Sequence, residues 1–266
     1  MTNRILGFAA MAAVSTAAVS HAAIVATFTE RVNVQSSPFG NTSFPDNIFD
    51  DLTSLGATDW VTWGLDSGSI VESNSKLGGV GIGSLTSDNT NRTGALTSSL
   101  DVPTTFDYND GTLPVSASDV NTGVGRFRGN TQNFGLPVAG PLFRFDVPVG
   151  LNDNTLYVWF SGFKLGSVGG GNSIKVLDGA SIVESATFGS GSPDVEAGFV
   201  YEIVYGGGTT TSGNVTIEIA APSIRQNNGK LIVHAAALTI PEPASAGLVA
   251  GGLGLLMGRR RDRSRA

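Results

Sequence analysis

The sequence predicts an all-β fold, an antiparallel β-sandwich of the jelly-roll type. An N-terminal signal peptide and a short C-terminal transmembrane-like helix flank it. Three observations lead there. Apolar and polar residues alternate with a period of two in run after run, as half-buried strands require. Glycine-containing turn dipeptides fall between the runs. No amphipathic helical stretch exceeds about two turns.

In chain order, Arg4 supplies a positive charge, Ile5 to Val19 is apolar and Ala-rich, and Ser20-His21-Ala22 places small residues where a signal peptidase cuts. Residues 1–22 are therefore read as a signal peptide and residues 23–240 as the sandwich. Whether 24–57 belongs to the sandwich is left open. Ser84 to Ser99 is polar and reads as a loop, and Asn109-Asp110-Gly111 as a turn. Leu142 to Val147 alternates. Leu156 to Phe163 is apolar on both faces, which predicts a central strand. Gly166 to Gly171 reads as a hairpin loop. Asp178-Gly179, between Ile174–Leu177 and Ile182–Val183, suits a tight hairpin because Gly tolerates positive φ. Phe199 to Tyr205 and Val215 to Ile219 alternate again. After Asn228-Gly229, Leu231 to Leu238 reads as a buried last strand.

The last 26 residues form a separate unit. Pro241-Glu242-Pro243 precedes Ala244 to Gly258, which carries no charge. Arg259, Arg260 and Arg261 follow, with Arg263 and Arg265 behind them. Fifteen residues fall short of the roughly 20 that span a bilayer. The arginines would hold on the cytoplasmic side while the segment stalls in the membrane. Gly247/Gly251 and Gly254/Gly258 have helix-packing spacing. This ordered triple resembles the PEP-CTERM sorting signal of Gram-negative bacteria. The resemblance implies processing by an exosortase, transient insertion in the inner membrane, and export to the cell surface or the extracellular matrix.

A second resemblance lies in the body. Thr58-Asp59-Trp60-Val61-Thr62-Trp63-Gly64 resembles the Asp-Trp-x-x-Trp-Gly opening of a module found in secreted bacterial proteins, often beside glycoside hydrolases. Tyr108 to Gly111, Asn121 to Val124, Phe143 to Val147, Leu156 to Phe160, Gly213 to Thr216 and Ala236 to Thr239 follow in matching order. The resemblance implies a galactose-binding-like jelly roll and a role near carbohydrate. Thr62 stands where that module commonly has a His, so a role resting on that His is absent.

Charge narrows the partners. Setting aside Arg4, the five tail arginines, Glu242 and Asp262 takes the formal charge from −6 to about −10 for the body. Such a surface repels nucleic acid and anionic polymers unless cations intervene. With no cysteine, neither thiolate chemistry nor disulfides are available.

The sequence marks out no catalytic residues. His234 is the only histidine after the leader and lies inside an apolar run, so it reads as a satisfied core residue. No Gly-x-Ser-x-Gly elbow, P-loop, dinucleotide fingerprint or His-rich metal set occurs. The candidates for sugar contact are Trp60, Trp63 and Trp159, whose ring faces suit sugar C–H groups, with Asp59, Asp107 and Tyr108 beside them. Trp60 and Trp63, three apart on a strand, point to opposite faces. One fills the core, and the other is exposed or loop-covered. Asp46, Asp50 and Asp51, or Asn152, Asp153 and Asn154, supply oxygens for a structural Ca²⁺, though neither fits a spaced calcium loop.

The expectation is a non-catalytic, exported sandwich associated with exopolysaccharide. The alternatives are an adhesive matrix protein with protein partners and a two-carboxylate glycosidase. Replacing Pro241, Glu242 and Pro243 by alanine is expected to leave the full-length chain in the inner membrane, checked by fractionation and mass. A variant still shortened and still at the surface would overturn the sorting reading.

Overall fold

The computed structural model describes residues 23–35, 48–79, 81–87, 93–98, 104–128, 140–150, 152–165, 171–190, 195–208, 213–222, 224 and 229–241. The signal peptide, Glu242 and Pro243, the apolar span and the arginine cluster lie outside these residues. So do most of the Gly166–Gly171 loop and Asn228.

In chain order the elements begin with β1 (Val25–Gln35), β2 (Ile48–Asp51), the single-turn helix α1 (Leu52–Leu55), β3 (Asp59–Asp66) and β4 (Ser69–Ser75). β5 (Thr86–Ser87), β6 (Thr93–Thr97), β7 (Thr104–Tyr108), β8 (Ala117–Asn121) and β9 (Val124–Arg128) follow. The second half holds β10 (Leu142–Pro148), β11 (Asn154–Phe163), β12 (Ser173–Asp178), β13 (Ser181–Thr187), β14 (Glu196–Gly206), β15 (Asn214–Ala220) and β16 (Lys230–Thr239).

These strands form three sheets. An eight-stranded antiparallel sheet runs β1-β14-β11-β16-β3-β4, with β9 also on β16 and β6 on β9. A five-stranded antiparallel sheet runs β13-β12-β15-β10-β5. A small sheet of β2, β7 and β8 has one parallel pairing, β2 with β7.

Alternation explains the layers. On β11, Leu156, Val158 and Phe160 face the main core, and on β15 so do Val215, Ile217 and Ile219. The eight- and five-stranded sheets thus share one core, with Phe160 stacked near Phe188, Phe199 and Tyr201. The other face of β11 carries Tyr157 and Trp159 toward a second core. There Ile48, Leu52, Phe106 and Tyr108 come from β2, α1 and β7. The large sheet is therefore covered on both faces, which accounts for the double-sided apolar character of Leu156 to Phe163.

β11 lies between β14 and β16, the central place its sequence predicts. The hairpin after Ile174–Leu177 also forms. Asp178 pairs with Ser181, and Gly179, at φ 59°, begins the two-residue connection. Two expectations change. Ser84 to Ser99 is not simply loop, because it contains β5, paired to β10, and β6, paired to β9. Such edge strands need backbone pairing more than an apolar face, and among the described residues of this segment Leu85 and Leu96 pack on the main core. Residues 25–35 belong to the large sheet through β14, and 48–51 to the small one.

Truncating the centre of the main core has a calculable cost. Phe160→Ala is expected to destabilise the fold by roughly 3–5 kcal/mol. Ile182→Ala, at an exposed position on β13, should stay within about 0.5 kcal/mol. Urea unfolding of both variants checks the contrast.

Candidate functional site

The three tryptophans are fully buried, so none of them offers a ring face at the surface. As their spacing requires, Trp60 and Trp63 enter opposite cores: Trp63 packs on Phe145, and Trp60 on Tyr108. The cover over Trp60 is the small sheet rather than a loop alone. Trp159 meets Phe106 edge-on at 5.6 Å. The neighbouring strand makes room for both rings with small residues, since Ala235 lies opposite Trp159 and Ala237 opposite Trp60.

Two other carboxylates hold this packing in place, Asp110 of the Asn109–Gly111 turn and Asp50, named above for Ca²⁺. Trp60 Nε1 donates to Asp110 Oδ1 at 2.8 Å, and Trp159 Nε1 to Asp50 Oδ2 at 2.6 Å. Asp110 also accepts from Thr53 and Lys76. Burial pushes its carboxyl pKa up, but the Lys76, Trp60 and Thr53 hydrogen bonds outweigh burial and hold it below the usual range. Burial raises the pKa values of Asp50 and Asp59, which their hydrogen bonds only partly offset. Asp59 accepts from the Ile82 N–H at 3.0 Å, and Gly79 lies so close that a Cβ there would strike its carboxylate. Asp107 accepts from the Asp119 N–H at 2.9 Å, where Asp119 sits at φ 55°. Tyr108 receives a bond from Asn74 at 2.7 Å. Trp60, Tyr108 and Trp159 thus meet in the second core, Trp63 lies in the main core, and Asp59 and Asp107 serve backbone N–H groups.

Of the residues named for Ca²⁺, Asp46 lies outside the described residues, and Asp50, Asp51 and Asn154 have other partners. Asp51 caps α1 by accepting from Thr53 N, and Asn154 donates to the Pro148 carbonyl. Among the described residues, no group of three His, Cys, Asp or Glu comes together.

His234 is also inside. Its Nε2 lies 2.7 Å from Ser161 Oγ and its Nδ1 2.8 Å from the Thr122 carbonyl oxygen. The carbonyl can only accept, so Nδ1 carries the proton and Ser161 donates to Nε2. A hydrolase triad would place a carboxylate on Nδ1, and here a backbone carbonyl takes that place. Both side chains are sealed from solvent.

An open polar surface lies elsewhere, on the outer face of the five-stranded sheet. Here the residues between the core positions form two cross-strand rows. In the first, Arg144 of β10 is opposite Glu218 of β15, which is opposite Lys175 of β12, itself opposite Ser185 of β13. In the second, Asp146, Thr216, Leu177 and Ile182 line up across the same strands. Glu218 binds both cations. Arg144 donates through Nε and Nη2 at 2.9 and 2.6 Å, and Lys175 at 2.7 Å. Burial raises the Glu218 pKa, yet the Lys175 and Arg144 bonds more than offset it, leaving the carboxyl below its ordinary value. Thr216 donates to Asp146 at 2.6 Å. Over these rows, beside the Gly179–Ala180 turn, lies a hollow of about 560 Å³. That volume is within the range of small-ligand sites, roughly 300–1,000 Å³.

No family model, curated protein or solved structure matches the chain. Sequence reasoning missed this hollow because its residues are scattered over four strands. The available signal was the charged or hydroxyl residue at alternate positions of Leu142 to Val147 and Val215 to Ile219.

The buried imidazole makes a pH prediction. Burial lowers the His234 pKa from 6.5 to about 4, the Thr122 bond opposing only in part. Between those values the unfolded chain binds a proton that the folded one refuses. Stability is therefore expected to fall by about 3 kcal/mol as pH drops from 6.5 to 4. Asp50 and Asp59, raised by burial, act with the opposite sign at the acid end of the window. His234→Gln should flatten the slope, measured by urea unfolding across that range.

Proposed function

We propose that this chain is an exported, non-catalytic β-sandwich protein of the bacterial cell surface or extracellular matrix, associated with exopolysaccharide. In this reading a signal peptidase removes residues 1–22. An exosortase then processes the Pro241-Glu242-Pro243 signal while Ala244 to Gly258 sits briefly in the inner membrane. The sandwich is, in the same reading, a jelly roll of the galactose-binding-like kind, which rests on the resemblance of Thr58 to Gly64 and the segments that follow it.

The observation that carries the binding half is the open hollow on the five-stranded sheet. There Glu218, Arg144, Lys175 and Thr216 present fixed donors and acceptors beside the aliphatic Leu177 and Ile182. Polysaccharide recognition needs this mixture, because a sugar unit shows hydroxyls at its rim and C–H groups on its faces. The buried tryptophans leave the task to a surface of this type. Against hydrolysis, the Ser161–His234 pair is sealed in the core, and Nδ1 is spent on a carbonyl. Against assembly through a free edge, the long β1 strand carries a bulge at Arg31, whose guanidinium pairs with Glu202 at 3.2 Å. Bulges and charges of this kind discourage edge-to-edge pairing.

Affinity electrophoresis of the purified full-length chain through gels containing polysaccharides, the producing organism's own included, tests the reading. Retardation by at least one polymer is expected, with no release of reducing ends. Migration unaffected by every polymer would sink it.

A further inference from the structure

We propose that the hollow on the five-stranded sheet takes a neutral, diol-bearing sugar unit and turns away uronate units. This rests on the polysaccharide reading above and adds the class of unit that is bound.

The first ground is charge. Arg144 and Lys175 form a positive pair, but Glu218 lies between them in the same row and bonds to both. Asp146 stands next to Arg144 on the same face of β10, opposite Thr216. With Asp146, which borders the hollow without lining it, the two rows hold two cations and two carboxylates and so carry no net charge. The body around it carries about −10. A polymer bearing one carboxylate per unit finds both cations already paired to Glu218, and it meets the repelling field of the body. A neutral polymer meets no such field.

The second ground is the disposition of donors and acceptors. Among the described residues, Nη1 of Arg144 has no partner, and Lys175 uses one of its three N–H groups on Glu218. Glu218 keeps lone pairs beyond those bonds. Donor and acceptor thus lie side by side along one row, in a geometry fixed by the sheet. Adjacent hydroxyls, each of which donates and accepts, match that alternation. A carboxylate only accepts, and would leave Glu218 facing a like charge.

The third ground is the wall. Leu177 and Ile182 pair across β12 and β13, and Ile182 is 59% exposed while the next residue, Val183, packs on the main core. Gly179 and Ala180 keep the adjoining turn low. An aliphatic flank beside a hydrogen-bonding row fits a sugar ring lying on edge against the sheet.

The test uses paired polymers that differ only in the carboxyl group: polygalacturonate and alginate with their carboxyl-reduced products, together with neutral glucan and mannan. The full-length chain is run through each by affinity electrophoresis at low salt. Binding to a neutral polymer is expected, at least tenfold tighter than to its acidic parent. Ile182→Asp, at an exposed position, should fold normally and lose about tenfold in affinity. Asp146→Asn and Glu218→Gln remove one negative charge each and should narrow the gap between acidic and neutral polymers, a change in selectivity that mere loosening of the sheet would not produce. Equal or tighter binding of the acidic parent overturns the proposal and leaves the polysaccharide reading standing. So does wild-type binding by Ile182→Asp. Absence of binding to every polymer overturns both.

Discussion

The bulge at His234 decides how this fold is connected. β16 pairs with β9 along Lys230–Val233 and with β3 along Ala235–Leu238, on the same edge. One strand thus serves two partners in series, and His234 stands at the fork. The extra residue shifts the phase of the strand. Leu231 and Val233 face the main core before it, and Ala236 and Leu238 after it. A bulge is the ordinary means of such a shift. The imidazole then satisfies what the fork leaves open. It binds Ser161 on β11 and the carbonyl of Thr122 at the entry to β9. The Thr122 hydroxyl in turn donates to the Trp63 carbonyl on β3, with Ser73 of β4 3.1 Å away. Four strands and a loop are joined through two side chains. Losing the imidazole would leave a buried hydroxyl and carbonyl unpaired, each at a cost of about 1–3 kcal/mol.

A sheet covered on both faces consumes its aromatic residues. Trp60 and Trp159 each present a ring to the small sheet and an N–H to a carboxylate at its border. A buried indole N–H normally finds such a partner. Asp50 and Asp110 supply that partner at the cost of partial desolvation. The five-stranded sheet keeps an outer face open for recognition, and its charged rows are joined by cross-strand pairing. Exposed ion pairs contribute little to stability. Glu218, though, is mostly buried between its two cations, so this row is more rigid than a surface pair. Rigid polar groups lose less entropy on binding than free ones do.

The fold class was legible in the sequence because period-two alternation reports burial directly. Leu156 to Phe163 even announced its central place by being apolar on both faces. The small sheet was not legible. β2 is four residues long and β8, Ala117–Asn121, is mainly polar, so neither shows the alternation of a buried strand. Without that layer in view, Trp60 and Trp159 looked available for a ligand, although their opposite-face geometry was correct for Trp60 and Trp63. The hollow failed to show for another reason. Its members are local neighbours only across strands, and register is set by tertiary packing, which one sequence does not display. His234 was legible as a core residue, but the fork it serves was not.

A chain with no cysteine must hold its loops in other ways. The segment after β7 illustrates one. Asn74, buried on β4, donates to Tyr108 and to the Pro114 carbonyl while accepting from Ser75, from Thr112 N and from Thr112 Oγ1. Asp110, in the same segment, ties α1, β3 and Lys76 together. Backbone bonds from Leu77 to Asp110 and from Thr112 to Ser75 complete the seam. Disulfides restrict the unfolded chain, whereas a hub of this kind acts only in the folded state. Its strength therefore depends on staying dry and intact. Because Asn74 uses its donors and its acceptor together, removing that one amide would strand several buried groups at once, and the loss would exceed that of any single bond.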